Sequence, residues 1–447
     1  MEDRDIQTLL DESAKKLGVV GAQVAVLHNG VVRAFATGSA NVELGIPMTT
    51  DTLVQIGSTT KVYTALMVMS LVEEGKLDLD EPVLSYIPYF RTPDAEATRS
   101  MTLRHLLSMS AGLDNGPYDK HGREQIATER YIRSIADLPL IFSPGQGYGY
   151  SNLATCVAGE AAVQVTGRTW DDLLRERVLE PAGLKRSVTL PENLVFHRVS
   201  VGHAVEEDGT PRVTRPWDCT PTQAAAGETL CTSAADLIAF AQIFLNKGAG
   251  VVSPESITTM TTPQVTVPDT ILADTWGVGP YSKNWNGTEL WGHTGTNEGG
   301  SSSLFWIPAK GAAFATLSNV PEQGYPLAHE LGKVLYPALW GVDCVPPPAP
   351  SAEVRVDAHR VSGVYEEYNA RYEVTVEDGT VMLRASSKEP FTPSLDTRLL
   401  PWKTDRFLAD KAALTGNRGW GVSFVGSDDE SRATHLVNGF FCARRVR

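Results

Sequence analysis

Between Thr52 and Val72 the chain carries a single charged side chain, Lys61, in a run that otherwise reads Leu-Val-Gln-Ile-Gly-Ser58-Thr-Thr-Lys61-Val-Tyr-Thr-Ala-Leu-Met-Val-Met-Ser-Leu-Val. A helix apolar on every side must be buried, so this segment has to thread a core and carry Lys61 with it. Ser58 lies one helical turn before the lysine, and positions three apart share a helix face. The amine can therefore reach the hydroxyl. A serine hydroxyl becomes a useful nucleophile only when a neighbouring base takes its proton, and a lysine can do so if burial lowers its pKa. The start of a helix also aims free N–H groups at this position, which suits an oxyanion. Gly57 before the serine predicts a tight strand-to-helix turn.

The pattern occurs a second time, in Ser13-Ala14-Lys15-Lys16. That copy lies in a charged N-terminal helix, where a solvated face is expected. Two further segments set the Ser58 copy apart. Ser143-Pro-Gly-Gln-Gly-Tyr-Gly-Tyr150-Ser151-Asn152 is a Gly/Pro-rich loop leading into a helix of small residues, Leu153 to Val165. Trp291-Gly-His293-Thr294-Gly295-Thr296 precedes the strand-like run Ser301 to Trp306.

In this order, S-x-x-K, Y-x-N and H-T-G resemble the serine hydrolases of the penicillin-binding-protein and class C β-lactamase superfamily, over roughly residues 5 to 340. Met101-Thr-Leu-Arg-His-Leu-Leu-Ser108, Ala111-Gly112-Leu113, Pro181-Ala-Gly-Leu184 and Thr232-Ser-Ala-Ala-Asp-Leu237 strengthen the likeness. It implies an α/β (α+β) fold, in which an antiparallel sheet backed by the terminal helices stands beside a mainly helical subdomain. The active site is expected between the halves. Ser58 is then the nucleophile, and Lys61 and Tyr150 are the candidate proton carriers, with the base undecided between them. A phenol with a solution pKa near 10 helps only as a relay or where cations favour its anion, and His293 is the other neighbour. Asn152 would bind the substrate amide and steady the lysine. Thr294, Gly295 and Thr296 would form the substrate-binding edge, with the amides of Ser58 and Thr296 as the oxyanion hole. The chemistry needs neither a metal nor a cofactor.

Elsewhere the hairpin Ala22–Leu27 and Val31–Ala36 turns at Asn29-Gly30, the strongest short hairpin signal in the chain. Residues 61 to about 250 read as mostly helical, and strands return at Leu290–Trp291, Ser301–Ile307 and Ala312–Ser318 before a helix over Tyr325–Tyr336. Cys344-Val-Pro-Pro-Pro-Ala-Pro350 is a stiff linker, dividing a catalytic domain, residues 1–345, from residues 346–447. Seven short strand candidates follow, at Gly363–Tyr365, Tyr372–Val376, Val381–Arg384, Arg406–Leu408, Gly421–Val425, Thr434–Val437 and Phe440–Arg444. They predict a small antiparallel all-β barrel or sandwich, and the resemblance implies the barrel, since several enzymes of the resembled family carry a lipocalin-like barrel there. In the tail, Arg444, Arg445 and Arg447 either make an exposed basic end or send one arginine to the cleft.

With a net charge of −14, no nucleic-acid partner is expected. The acidic N-terminus lacks the apolar stretch of a secretory signal, and no run is long enough to span a bilayer. Five scattered cysteines read as reduced thiols. The expectation is a cytoplasmic protein without a membrane association. His293 stands where β-lactamases carry lysine, which weakens anchoring of a β-lactam carboxylate. With the barrel, this makes a stand-alone thioesterase that cyclises nonribosomal peptides the leading expectation, with a peptidyl thioester substrate and a peptidyl carrier protein as its partner. A hydrolytic esterase or D-amino-acid-directed peptidase is the alternative.

Overall fold

The computed structural model describes residues 1–447 except 119, 218, 269–270, 347, 389–393 and 411–420. The chain opens with helix α1 (Asp3–Leu17) and the hairpin β1 (Gly21–His28) and β2 (Val31–Asn41). Asn29 and Gly30 both take positive φ, 52° and 76°, as the tight turn expected of this pair requires. Strands β3 (Tyr281–Trp285), β4 (Thr288–Asn297), β5 (Gly300–Ile307) and β6 (Ala312–Ser318) complete the centre of an antiparallel sheet of nine strands. Its order is Ile46–Pro47, β2, β1, β6, β5, β4, β3, Thr275–Trp276, Val265–Thr266. In β1, β5 and β6 nearly every residue is buried, because helices cover both faces. Helices α1 and α5 (Gly324–Leu335) pack on one side, and α4 (Ala234–Leu245) packs on β1, β5 and β6.

The uncharged run becomes the helix α2 (Thr60–Glu73), buried from Thr60 to Leu71. It packs against α3 (Asn152–Thr166), also buried along most of its length, and the two form the centre of the helical half. The second S-x-x-K copy is split by its helix. Ser13 faces inward, whereas Lys16 is exposed and pairs with Glu330 at 2.8 Å.

After the proline segment, of which position 347 lies outside the described residues, the chain forms a closed barrel of eight strands rather than the seven predicted. These are β7 (Gly363–Glu366), β8 (Ala370–Glu377), β9 (Thr380–Ser387), β10 (Leu395–Lys403), β11 (Arg406–Ala409), β12 (Gly421–Val425), β13 (His435–Asn438) and β14 (Phe441–Arg445). Each pairs antiparallel with the next and β7 closes on β14, the up-and-down architecture of a lipocalin-like barrel. The strand absent from the sequence reading is β10. It contains Pro401, which hides a strand from a pattern search, and the ladder tolerates it beside a register shift between Pro401 and Lys403.

The barrel has its own core around Tyr365, Phe407 and Phe424. Val437 and Cys442, however, belong to the core that holds Tyr150, Trp276 and Tyr281 in the catalytic half. The tail arginines do not behave as the sharper expectation had it. Arg445 turns into the barrel, donating to the carbonyls of Ala433, Ser362 and Arg360 and to the Tyr365 hydroxyl. Arg444 and Arg447 are exposed. All five cysteines are free, and among the described residues no helix is long and apolar enough to cross a membrane.

Candidate active site

Ser58 sits in a single 3-10 turn, Gly57–Thr59, that runs directly into α2. Three glycines make room for that turn. Gly57 has φ +54°, and a Cβ there would lie 2.5 Å from the Thr296 nitrogen. A Cβ on Gly295 would lie 2.0 Å from the Ile56 carbonyl oxygen and 2.6 Å from the Ser58 nitrogen. One on Gly227, at φ +138°, would lie 2.4 Å from the Gly57 carbonyl carbon. Contacts so short are open only to glycine, so backbone packs on backbone from three sides. The turn is also pinned to β5, where the Ser302 hydroxyl donates to the Ile56 carbonyl at 2.7 Å and lies 2.8 Å from the Thr59 hydroxyl. The backbone of Thr296 is thereby pressed against the turn that carries the Ser58 amide.

Lys61, 1 % exposed, reaches back one turn and donates to Ser58 Oγ at 3.0 Å, to Asn152 Oδ1 at 2.6 Å and to the Ala226 carbonyl at 2.7 Å. No carboxylate is among these partners. Burial therefore dominates and brings the amine down to about 7, because an ammonium without a counter-charge is costly in a core. Asn152 is held in its turn: its N–H donates to Asn115 Oδ1 at 2.9 Å, and the neighbouring Ser151 hydroxyl caps α3 and donates to the Asp114 carbonyl at 2.8 Å.

Tyr150 ends the glycine-rich loop, with its ring 4.9 Å from Lys61 Nζ. Burial pushes its phenol well above the usual range, opposed by a hydrogen bond with the Ser58 side chain. The phenol is thus protonated at neutral pH. His293 lies on the same face of β4 as Gly295, two residues away, in a pocket of aromatic rings. Its ring centroid is 5.4 Å from Trp276, 5.3 Å from Tyr281 and 6.4 Å from Tyr150. Its Nδ1 bonds the Thr294 carbonyl, and its buried Nε2 has no partner among the described residues. Burial, with Lys61 nearby, drives it down to about 3, so the imidazole is neutral. Thr294 is buried, 3.3 Å from the Tyr281 hydroxyl, while Thr296 is exposed on the opposite face from His293.

Lys61, Asn152, Tyr150, Gly295 and the Thr296 backbone thus gather around the turn of Ser58, with His293 in the aromatic pocket beside Tyr150 and Thr294 next to it against Tyr281. Sequence reasoning missed Ala226 and Gly227, whose small-residue run Ala224–Gly227 was the available signal, and Asn115, which follows the quoted Ala111–Leu113 segment. It also missed Phe440 as part of the site. This residue occupies the two-residue loop Gly439–Phe440 between β13 and β14, and its ring stacks on Tyr150 at 5.7 Å and 21°.

A nucleophile at a helix start, bonded to a lysine one turn on and faced by a tyrosine, can form and resolve an acyl-serine without a metal. The comparisons agree. The model of the family described as Beta-lactamase matches residues 6–332. Penicillin-binding protein 4 of Amycolatopsis lactamdurans is 33 % identical over 356 residues, which cover 78 % of this chain and 93 % of that protein. The crystal structure of SurE, 27 % identical, superposes with a TM-score of 0.81 over 99 % of this chain and 98 % of its own, and SurE has also been solved with D-Leu. D-amino acid amidase from Ochrobactrum anthropi SV3, complexed with D-phenylalanine, is 26 % identical with a TM-score of 0.60, covering 71 % of this chain and 91 % of its own. By sequence and by fold the chain belongs to the Beta-lactamase family, within the superfamily of serine hydrolases and acyltransferases that includes the penicillin-binding proteins.

Proposed function

We propose that the chain takes a peptidyl group from a thioester onto Ser58 and releases it as a head-to-tail macrolactam. Lys61, with a pKa of about 7, is the general base: its neutral amine takes the Ser58 proton as Oγ attacks the thioester carbonyl. The amides of Ser58 and Thr296 receive the oxyanion. The C–S bond then breaks, and the thiol leaves with a proton delivered through Tyr150. In the second half the substrate's own N-terminal amine attacks the acyl-serine, its proton returns to Oγ, and the ester bond breaks. Asn152 holds the lysine and the substrate amide, and Thr294 and Gly295 offer the strand edge for an extended acyl chain. A peptidyl carrier protein is the donor this reading expects.

The observation that carries the reading is the likeness over the whole chain, barrel included, to SurE, which has also been solved with D-Leu. The neutral His293 adds to it: a third motif without a permanent cation favours acyl groups that bring no carboxylate of the β-lactam kind. The second reading, hydrolysis of D-amino acid amides or esters, draws on the D-amino acid amidase likeness, which spans 71 % of the chain. A peptidyl thioester mimic with a C-terminal D-residue separates them by product mass. Loss of the thiol without gain of water is the expected result; a product that has gained water establishes the hydrolase.

A further inference from the structure

We propose that Phe440, at the tip of the β13–β14 hairpin, is a positioning residue that holds the Tyr150 phenol against the Ser58–Lys61 pair, a role that rests on the acyl-transfer reading above. The loop that ends in Tyr150 has little stiffness of its own, with glycines at 145, 147 and 149. The N–H groups of Ile141, Gly145 and Gly149 bond the Gly112, Ser110 and Met109 carbonyls of the catalytic half, and the barrel adds contacts at both ends. At the near end His435 Nε2 lies 3.0 Å from the Ile141 carbonyl, and its ring stands edge-on to Phe142. At the far end the Tyr150 N–H donates to the Phe440 carbonyl at 3.4 Å, and a Cβ on Gly149 would touch Cys442 Cβ at 3.5 Å.

The ring contacts then fix the phenol's direction. Phe440 lies nearly parallel to Tyr150, and Phe441 meets the same ring edge-on at 5.7 Å and 89°. Phe440 also contacts Trp276 at 5.6 Å and Tyr281 at 5.4 Å, the two rings that enclose His293. Gly439, with φ +60°, opens the two-residue loop that projects the phenylalanine. Aromatic pairs favour offset-stacked and edge-on arrangements of this kind, and here that preference acts on one side chain of the reaction. The barrel is accordingly part of the acyl-transfer site.

The test uses the full chain and a fluorophosphonate, which forms a bond from Ser58 Oγ to phosphorus as the P–F bond breaks and the serine proton leaves with fluoride. Labelling is followed by intact mass, and turnover is followed with a small aryl ester. Phe440→Ala is expected to label at least tenfold more slowly, with kcat falling and KM nearly unchanged, while far-ultraviolet circular dichroism matches the parent. Phe440→Tyr, which keeps the stacked ring, is expected to restore the rate, and Met382→Ala, exposed on β9, to leave it untouched. Opening the pocket to water is also expected to lower the pH at which one tyrosine ionises, read at 295 nm, and this change should vanish when Tyr150→Phe is added. An unchanged labelling rate in folded Phe440→Ala overturns the proposal. If that variant does not fold, Phe440→Leu is read in the same way. A parent chain that takes no label refutes the acyl-transfer reading itself.

Discussion

Lys61 Nζ stands 4.9 Å from the centre of the Tyr150 ring, and burial drives the two groups apart in acidity: the amine falls to about 7 and the phenol rises well above its usual range. Neighbouring groups whose environments separate their pKa values divide the acid and base roles between them. This separation favours Lys61 as the base, a choice that residue types alone leave open.

Acylation should therefore rise with pH through about 7, as the Lys61 amine loses its proton, and level off above it. Lys61→Ala should remove that limb and lower the acylation rate at least about 10²-fold, the scale of a positioned proton-transfer group. Tyr150→Phe should lose a comparable factor while keeping the limb. The double variant should cost far less than the product of the two, because the residues act as a unit. Stopped-flow acylation by an aryl ester from pH 5 to 9 measures all three; a limb that disappears in Tyr150→Phe but survives in Lys61→Ala would reverse the roles.

His293, brought down to about 3, is neutral across that whole range. His293→Ala should lower kcat more than it raises KM, since the ring fills the pocket beside Tyr150, and should leave the limb near 7 in place. Steady-state profiles of the variant decide this, and a displaced limb would mean that the imidazole titrates in the reaction.

Gly227→Ala should cost at least about 10²-fold in labelling and lower Tm, because the new Cβ would fall 2.4 Å from the Gly57 carbonyl carbon. Gly45→Ala isolates the backbone term: its φ is +62°, but nothing lies within 4 Å of the added carbon. That variant should lose about 1 kcal/mol of stability and label normally. Equal losses in the two would show that crowding at the Ser58 turn is unimportant.

The interface between barrel and catalytic half should respond to pH through Glu367. Burial and the nearby Asp114 raise this carboxyl from 4.5 to about 8, and Asp114 itself is raised by burial while accepting the Tyr368 N–H at 2.9 Å. A carboxyl whose folded pKa is raised binds its proton more tightly when folded. Its contribution is therefore complete below about 4.5 and is lost as pH rises towards 8. Thermal unfolding should show Tm declining across this window in the parent, and declining less in Glu367→Gln.

Much of this architecture is legible in residue order, for local reasons. Asn29-Gly30 dictates its own turn, and the lone Lys61 in an uncharged run could enter a core only with partners, which it finds in Ser58, Asn152 and the Ala226 carbonyl. What escapes a reading along the chain are contacts between distant segments. Gly227 looks like any turn glycine until Gly57 is seen against it, and Phe440 looks like barrel core until its ring is found on Tyr150, 290 positions earlier. Arg445 misleads in the opposite sense, because an exposed-looking tail arginine spends its guanidinium on carbonyls inside the barrel.

The central claim is that Ser58 becomes acylated, and intact mass after exposure to a fluorophosphonate, followed by peptide mapping, tests it most directly. The expected result is one adduct per chain, located on the peptide bearing Ser58, and none on a folded Ser58→Ala variant. An adduct on any other residue, or equal labelling of Ser58→Ala, would contradict it.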